Sequence, residues 1–268
     1  MAELTIYQWL WSIVVVMGAA GVQEITGFGF ALISIPLLLL IFPSYEAVLI
    51  SIMLAMITLL LQGWKNVHQP RWDLIWRLIV IGLPGLWFGI LIGKKMNVAH
   101  LEGFVGISVL SYVIAQLVQE RRKRRLSRIT NVSNDTDSTI TRKLPKGFYL
   151  AGLSSGVLTG AVGLPGPPVI ATLIPILKKD LFRATVLYYF IFIYAIVISV
   201  ALFSFKQEFN QVKIITVVMI YIVPLLIGFY IGQLIQKQVN DVLFKHLVYS
   251  LLILVGTFSC WSWFAKLI

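Results

Sequence analysis

A hydrolase-like motif, Gly152-Leu153-Ser154-Ser155-Gly156, is the first candidate for chemistry in this sequence. The G-x-S-x-G pattern activates its serine at a sharp strand-to-helix turn, whereas this stretch lies inside an apolar helical segment. A candidate base for it, His246, falls near the end of another apolar segment. His68 and His100 also have no second ligand at a spacing that suits a metal. The residues therefore predict a protein that is not an enzyme and that holds no metal or cofactor.

Glu24 is a stronger candidate, because it is the one acidic residue well inside a predicted apolar segment. Burying a charged carboxylate in a membrane costs several kcal/mol, so such acids usually face a cavity and carry function. Glu24 could exchange a proton whose uptake is coupled to solute movement. Alternatively, it could be a permanently protonated or hydrogen-bonded structural residue. The sequence leaves both interpretations open.

The composition predicts the environment of these residues. Of the 268 residues, 59% are hydrophobic and 12% are charged, against about 45–50% and 25% in a typical soluble domain. Stretches such as Tyr45–Leu61 and Leu101–Val118 are long enough to cross a hydrocarbon core of about 30 Å. We therefore expect an all-α, polytopic protein of the cell membrane.

Hydropathy shows the same order of elements twice, which predicts two transmembrane repeats, 1–118 and 147–268, joined by a linker, 119–146. Each repeat has an interrupted apolar stretch followed by three spans. The first repeat has Leu4–Phe42, then Tyr45–Gln62, Leu74–Gly93 and Val98–Val118; the second has Gly147–Leu177, then Ala184–Phe205, Val212–Ile235 and Phe244–Ala265.

Residue identities support a duplication. Pro84–Gly93 resembles Pro224–Gly232, and both contain GxxxG, which lets helix backbones approach closely in lipid. Gly166 follows Gly29 by 137 residues, the same offset that separates Ala184 from Ala47.

The basic residues predict the orientation. Nine of the 22 lie in 121–146, which favours a cytoplasmic linker that could contact anionic lipid. Aromatic residues do not interleave with these arginines, so nucleic acid is not an expected partner. With the linker inside, 17 basic residues face the cytoplasm and five face outward. Each repeat then crosses three times, so the repeats are inverted, as in many secondary transporters.

Glycine and proline interrupt both apolar stretches, in Gly27–Gly29 and in Gly163–Pro168. We expect two short helical arms to meet at each interruption, as a broken hairpin. Because freed backbone at membrane depth must be buried or line a cavity, the two interruptions should lie near one point. Helix N-termini there would bind a small anion. The alternative is a pair of packing kinks.

The segments GVQEITGFGFALISIPLLLLIFP, GLSSGVLTGAVGLPGPPVIATLI and GWKNVHQPRWDLIWRLIVIGLPGLWFGILIG resemble signatures of the TauE/SafE family of bacterial sulfite and organosulfonate exporters. This resemblance implies a carrier for small sulfur-containing anions such as sulfite, thiosulfate or short organosulfonates. It places the transport site at the two interruptions, at Thr26, Gly27, Phe28, Gly29, Thr159, Gly160, Gly163, Pro165 and Gly166. The sequence does not decide the direction of transport or the oligomeric state. An anion channel and an importer of another small organic anion are the alternatives.

Several polar residues near the interruptions have two interpretations. The hydroxyls of Thr26, Thr159, Ser154 and Ser155 could donate to an oxyanion or could bond back to their own helices. Arg183 and Lys65, at the predicted cytoplasmic edge, could capture the anion or could only set the topology.

Overall fold

The computed structural model describes residues 5–42, 44–65, 69–97, 99–101, 103–111, 113–114, 118, 147–173, 176–177, 179–204, 210–236, 250, 253–254 and 256–265. The predicted linker, 119–146, lies outside the described residues. Eight helices are defined in the described part: α1 Ile6–Thr26, α2 Phe30–Leu39, α3 Tyr45–Lys65, α4 Trp72–Lys95, α5 Phe148–Val162, α6 Gly166–Leu173, α7 Lys179–Ser204 and α8 Gln211–Gln236.

The described residues confirm the all-α membrane architecture. They contain no strand, and α1, α3, α4, α7 and α8 are long and apolar enough to cross a membrane. Further helical residues occur within 99–118 and 250–265, where two more spans were expected. There, Gly106 packs against Cys260, so these two segments contact each other.

Both predicted helix interruptions are present. α1 ends at Gly27, which has φ +83°, and α2 follows Gly29, which has φ +119°. α5 ends at Gly163, which has φ +70°. Since this left-handed region is strained for residues with a Cβ atom, glycine is required to end the helices so abruptly.

The expectation of two short arms is wrong for the first interruption. α1 has 21 residues and could cross a membrane alone, whereas α2 has ten. Thr5 is the N-cap of α1, and its N–H donates to Gln8 Oε1 at 3.0 Å. Gly18 and Gly21 lie within α1 and do not break the helix. A glycine inside an apolar helix costs only about 1 kcal/mol, which membrane packing readily offsets. The second interruption does join two short arms, α5 and α6, of 15 and eight residues.

The two glycine-rich helices pack across the molecule. A Cβ at Gly82 in α4 would lie 3.2 Å from the carbonyl oxygen of Gly152 in α5. Likewise, a Cβ at Gly232 in α8 would lie 2.6 Å from the carbonyl oxygen of Gly21 in α1. The glycine helix that follows each interrupted stretch in the sequence thus packs on the first arm of the other stretch. This reciprocal packing is the arrangement that an inverted duplication would produce.

This packing can be tested with Gly89→Ala in α4. A Cβ at Gly89 would overlap the carbonyl oxygen of Val157, and backbone cannot move aside cheaply. We expect a loss of about 1–3 kcal/mol of stability, the usual cost of overpacking. The measurement is the temperature at which the detergent-solubilised protein loses its monodisperse gel-filtration peak. Gly18→Ala is the matched control, because nothing lies within 4 Å of a Cβ there. Equal melting of the two variants would contradict the packing.

Candidate functional site

One pocket is lined by residues from both interruptions. The first stretch and α3 contribute Gln23, Phe28, Gly29, Ala31, Leu32 and Leu59; the second stretch and α7 contribute Leu164, Pro165, Gly166, Phe190 and Tyr194. The space in it that a water-sized sphere can reach is about 20 Å³, and about 310 Å³ is empty when the open solvent at its mouth is counted. Residues 137 positions apart in the chain, Gly29 and Gly166, therefore face the same space.

The first turn of α2 supplies hydrogen-bond donors to this pocket. The N–H of Phe30 donates to Gln23 Oε1 at 3.1 Å. The N–H groups of Ala31 and Leu32 have no partner within α2, because the first turn of a helix has no preceding carbonyls. Both residues line the pocket, which also receives the partial positive charge of the helix N-terminus. This is an arrangement that binds anions.

The second interruption contributes fewer donors than the first. α6 begins with Gly166, and the two residues after it are prolines, which have no N–H to donate. Gly166 is therefore the only residue of the three that can offer a backbone donor there. The two helix N-termini face one pocket, but their hydrogen-bonding capacity is unequal.

Hydroxyl groups bond the carbonyl oxygens of the second interruption. The hydroxyl of Tyr194, from α7, donates to Gly163 O at 3.1 Å, and that of Ser155, from α5, donates to Pro165 O at 2.7 Å. Tyr189 OH lies 2.9 Å from Ser155 Oγ and extends this network. Carbonyl oxygens that are bonded in this way repel an anion less than free ones would.

Gln23 has the same supporting role at the first interruption, and the sequence analysis missed it. Its side chain is 2% exposed, and Nε2 donates to Thr58 Oγ1 of α3 at 2.5 Å while Oε1 accepts from Phe30. Gln23 thereby ties the end of α1 to the start of α2 and to α3. The cost of burying a polar side chain, which drew attention to Glu24, applies to the preceding residue as well.

Glu24 lies beside the pocket, and it is not a lining residue. It is 7% exposed, and Gln62 Nε2 donates to its Oε2 at 3.1 Å and to Gln23 O at 2.8 Å. Glu24 is also one helical turn before Gly27. An intramembrane acid is thus connected, through α3 and the end of α1, to the residues that shape the pocket.

Arg183 is close to the first interruption although it belongs to α7, far along the chain. A Cβ at Gly27 would lie 3.3 Å from Arg183 Nε, so the guanidinium lies against the backbone of Gly27. Arg183 takes part in neither the Arg71–Asp73 nor the Glu46–Lys213 ion pair, and no other ionic partner for it occurs in the described part of the chain. Its guanidinium therefore lies beside the first interruption, and Arg183 is not among the lining residues of the pocket. The side chain of Lys65, the other predicted cation, lies outside the described residues.

The remaining predicted residues have structural contacts. The Thr26 hydroxyl donates to Val22 O at 2.9 Å, and the Thr159 hydroxyl donates to Ser155 O at 2.5 Å. Gly160 packs on α4, and its carbonyl accepts from Tyr45 OH. Ser154 likewise bonds back to Leu150 O at 2.7 Å. These groups shape the helices around the pocket, and they do not line it.

The family model described as sulfite exporter TauE/SafE matches residues 12–258. The chain belongs to this family. The match spans both interruptions and nearly the whole chain, and it identifies a multi-pass membrane protein of the sulfite or anion exporter type. Membership in a transporter family also supports the prediction that the TauE/SafE chain is not an enzyme. Neither a search of curated proteins nor one of solved structures returned a match.

The contribution of Gln23 can be tested with Gln23→Leu. This change leaves the buried N–H of Phe30 without an acceptor, and we expect a loss of about 1–3 kcal/mol of stability. The measurement is a thermal-shift assay of the purified protein. The control is Gln8→Leu in the same helix, where the lost bond is at an exposed helix start and the effect should stay within about 0.5 kcal/mol. Comparable losses at the two glutamines would show that Gln23 has no special role.

Proposed function

We propose that this TauE/SafE-family protein is a secondary transporter that exports a small sulfur-containing anion, such as sulfite, thiosulfate or a short organosulfonate, across the plasma membrane. The observation that supports this most directly is a pocket that the helix interruptions of both repeats line together. The α2 N-terminus and Arg183, which has no ionic partner among the described residues, give this site a positive potential, which selects a negative ligand.

The lining of the pocket suits the proposed substrate class. The N–H groups of Ala31, Leu32 and Gly166 can donate to the several oxygens of a sulfur oxyanion. Phe28 and Phe190 give an apolar wall, against which a sulfur atom or a short alkyl group can pack. No acidic residue is among the described residues that line the pocket, and Glu24, which follows the lining residue Gln23, is outside the lining.

Alternating access is the mechanism that we infer from this geometry. Each repeat supplies one side of the pocket, so rocking one repeat against the other would open it to one side of the membrane and then to the other. The interruptions supply backbone groups that stay with the ligand during this motion. In the proposed orientation, the linker 119–146 is cytoplasmic.

The direct test is counterflow in proteoliposomes that contain the purified protein. If the protein is a carrier, proteoliposomes preloaded with unlabelled sulfite should accumulate radiolabelled sulfite from outside transiently and saturably, because each transport cycle exchanges one ion. The experiment is repeated with thiosulfate, sulfate, taurine or sulfoacetate inside the proteoliposomes. The uptake of radiolabelled sulfite that each one drives then ranks the candidate substrates. Flux without saturation or exchange would indicate a channel. No movement of any of these ions would refute the proposal.

Arg183→Gln should weaken substrate binding. Loss of a charge-assisted hydrogen bond costs about 1.5–3 kcal/mol, so we expect the half-saturating anion concentration to rise at least about ten-fold. The measurement is initial uptake rate against substrate concentration. Arg77→Gln is the matched control, because Arg77 is an exposed arginine on α4, outside the pocket. If the half-saturating concentration of Arg183→Gln is the same as that of the wild type, Arg183 does not bind the substrate.

Glu24→Gln tests proton coupling. The amide keeps the size of the side chain but cannot exchange a proton, so transport by the variant should no longer depend on an imposed pH gradient. Uptake is compared with and without a gradient of about one pH unit at a fixed substrate concentration. If the variant keeps the wild-type response to the gradient, Glu24 is a structural residue.

A further inference from the structure

Two positions that the repeat offset makes equivalent carry opposite charges. Glu46 and Arg183 are separated by 137 residues, like Gly29 and Gly166. Glu46 is in the first turn of α3, and Arg183 is near the start of α7. Glu46 has an ionic partner, whereas Arg183 has none in the described part of the chain. The two equivalent positions therefore differ in the sign of their charge and in whether an ion pair holds the side chain.

Glu46 pairs with Lys213, which is in the first turn of α8. The two side chains are only 18% and 28% exposed, and the pair joins the first repeat to the second. A lysine at a helix N-terminus is unfavourable, because both carry positive charge, whereas a glutamate there is favourable. Lys213 is thus stabilised at this position by Glu46, a residue of the opposite repeat.

The Glu46–Lys213 pair and Arg183 lie toward opposite ends of α3. A Cβ at Gly63, near the C-terminus of α3, would lie 3.5 Å from Leu187 of α7, one turn beyond Arg183. Glu46 is about 25 Å from Gly63 along the helix, at 1.5 Å per residue. The pocket and the second interruption come between these two ends, since Leu59 lines the pocket and Ile52 packs on Gly163.

The first interruption, on the Arg183 side, is more exposed to solvent than the second. Thr26, Gly27, Phe28 and Gly29 are all partly exposed, and Gly27 lies against Arg183, whereas Leu164, Pro165 and Gly166 are buried. Tyr45, next to Glu46, is also buried, and its hydroxyl bonds Gly160 O of the second repeat. The side of the pocket nearer Glu46 is thus the more deeply buried one.

We propose that the Glu46–Lys213 ion pair is a gate that holds this end of the transport pathway shut and that separates when the protein turns its pocket to the opposite side. This proposal rests on the proposed alternating-access function. In the orientation given above, the Glu46 end faces outward, and the structure is the inward-facing state. Breaking the pair removes an interaction specific to that state and shifts the population toward the outward-facing one.

The test measures the accessibility of the pocket from each side. Leu164, which lines the pocket and is 1% exposed, is replaced by cysteine in a Cys260→Ser background, which removes the single native thiol. A membrane-impermeant maleimide is then applied to spheroplasts and to inverted vesicles. With Glu46→Gln or Lys213→Gln, we expect labelling of the Leu164→Cys thiol from the Glu46 end to rise at least about five-fold, within the usual range of coupling between states.

The charge-swapped double variant, Glu46→Lys with Lys213→Glu, restores an ion pair and should return labelling toward the wild-type rate. The matched control is Asp73→Asn, which breaks the exposed Arg71–Asp73 pair within one repeat and should leave labelling unchanged. Gel filtration of each variant checks folding, and the swap keeps the test informative if a single variant is unstable.

Two failures can be told apart. If neither single variant changes labelling from either side while the wild type shows saturable counterflow, the gate proposal is wrong and the transporter proposal stands. If the swapped pair labels as fast as the single variants, the effect of the single variants does not come from the ion pair, and the gate is again refuted. Absence of counterflow in the wild type refutes the transporter proposal, whatever the labelling shows.

Discussion

Backbone groups cannot remain unpaired in lipid, and this constraint explains the centre of the molecule. Helices α1 and α5 end inside apolar sequence, at Gly27 and Gly163, and each end frees peptide groups that need new hydrogen-bond partners. The structure pairs many of them with side chains from neighbouring helices. Gln23 takes the first N–H of α2, and Tyr194 and Ser155 bond carbonyls of the second interruption. What stays unpaired is a small set of donors around a pocket.

The pocket depends on an interaction far from it in sequence. α4 packs on α5 and α8 packs on α1 through glycines whose Cβ positions would meet backbone atoms of the partner helix. This close approach joins each interrupted stretch to the glycine helix that follows the other stretch in the sequence. Because the hydrophobic effect does not drive helices together within lipid, such small-residue contacts are the means by which two membrane units associate. The two interruptions share one pocket because their supporting helices are joined in this way.

Few charges are present near the pocket, and each therefore has a large effect there. Arg183 and the helix N-termini contribute positive potential, while Glu24 sits outside the lining and accepts from Gln62. Within a membrane, where the dielectric constant is low, a charge interacts with its surroundings more strongly than in water. This balance suits an anion that must be attracted strongly enough to enter and yet be released. Membership in the TauE/SafE family agrees with that chemistry.

Much of the fold follows from local patterns, and those parts were predictable. Apolar length predicted the spans, and glycine with proline predicted both interruptions, because helix propensity and backbone freedom are properties of single residues and short windows. The same reasoning predicted a short first arm, which is wrong, since no local signal shows that α1 continues unbroken from Ile6 to Thr26. It also grouped Thr26, Thr159 and Gly160 with the pocket residues by proximity in sequence.

The sequence by itself determined a helical membrane protein with two interrupted stretches, a lone intramembrane acid and the TauE/SafE signatures. Only the tertiary structure decided which groups meet: Gln23 with Phe30, Arg183 with Gly27, and Glu46 with Lys213. The last two of these join residues more than 150 positions apart. Such contacts depend on how whole helices pack, which no window of neighbouring residues encodes.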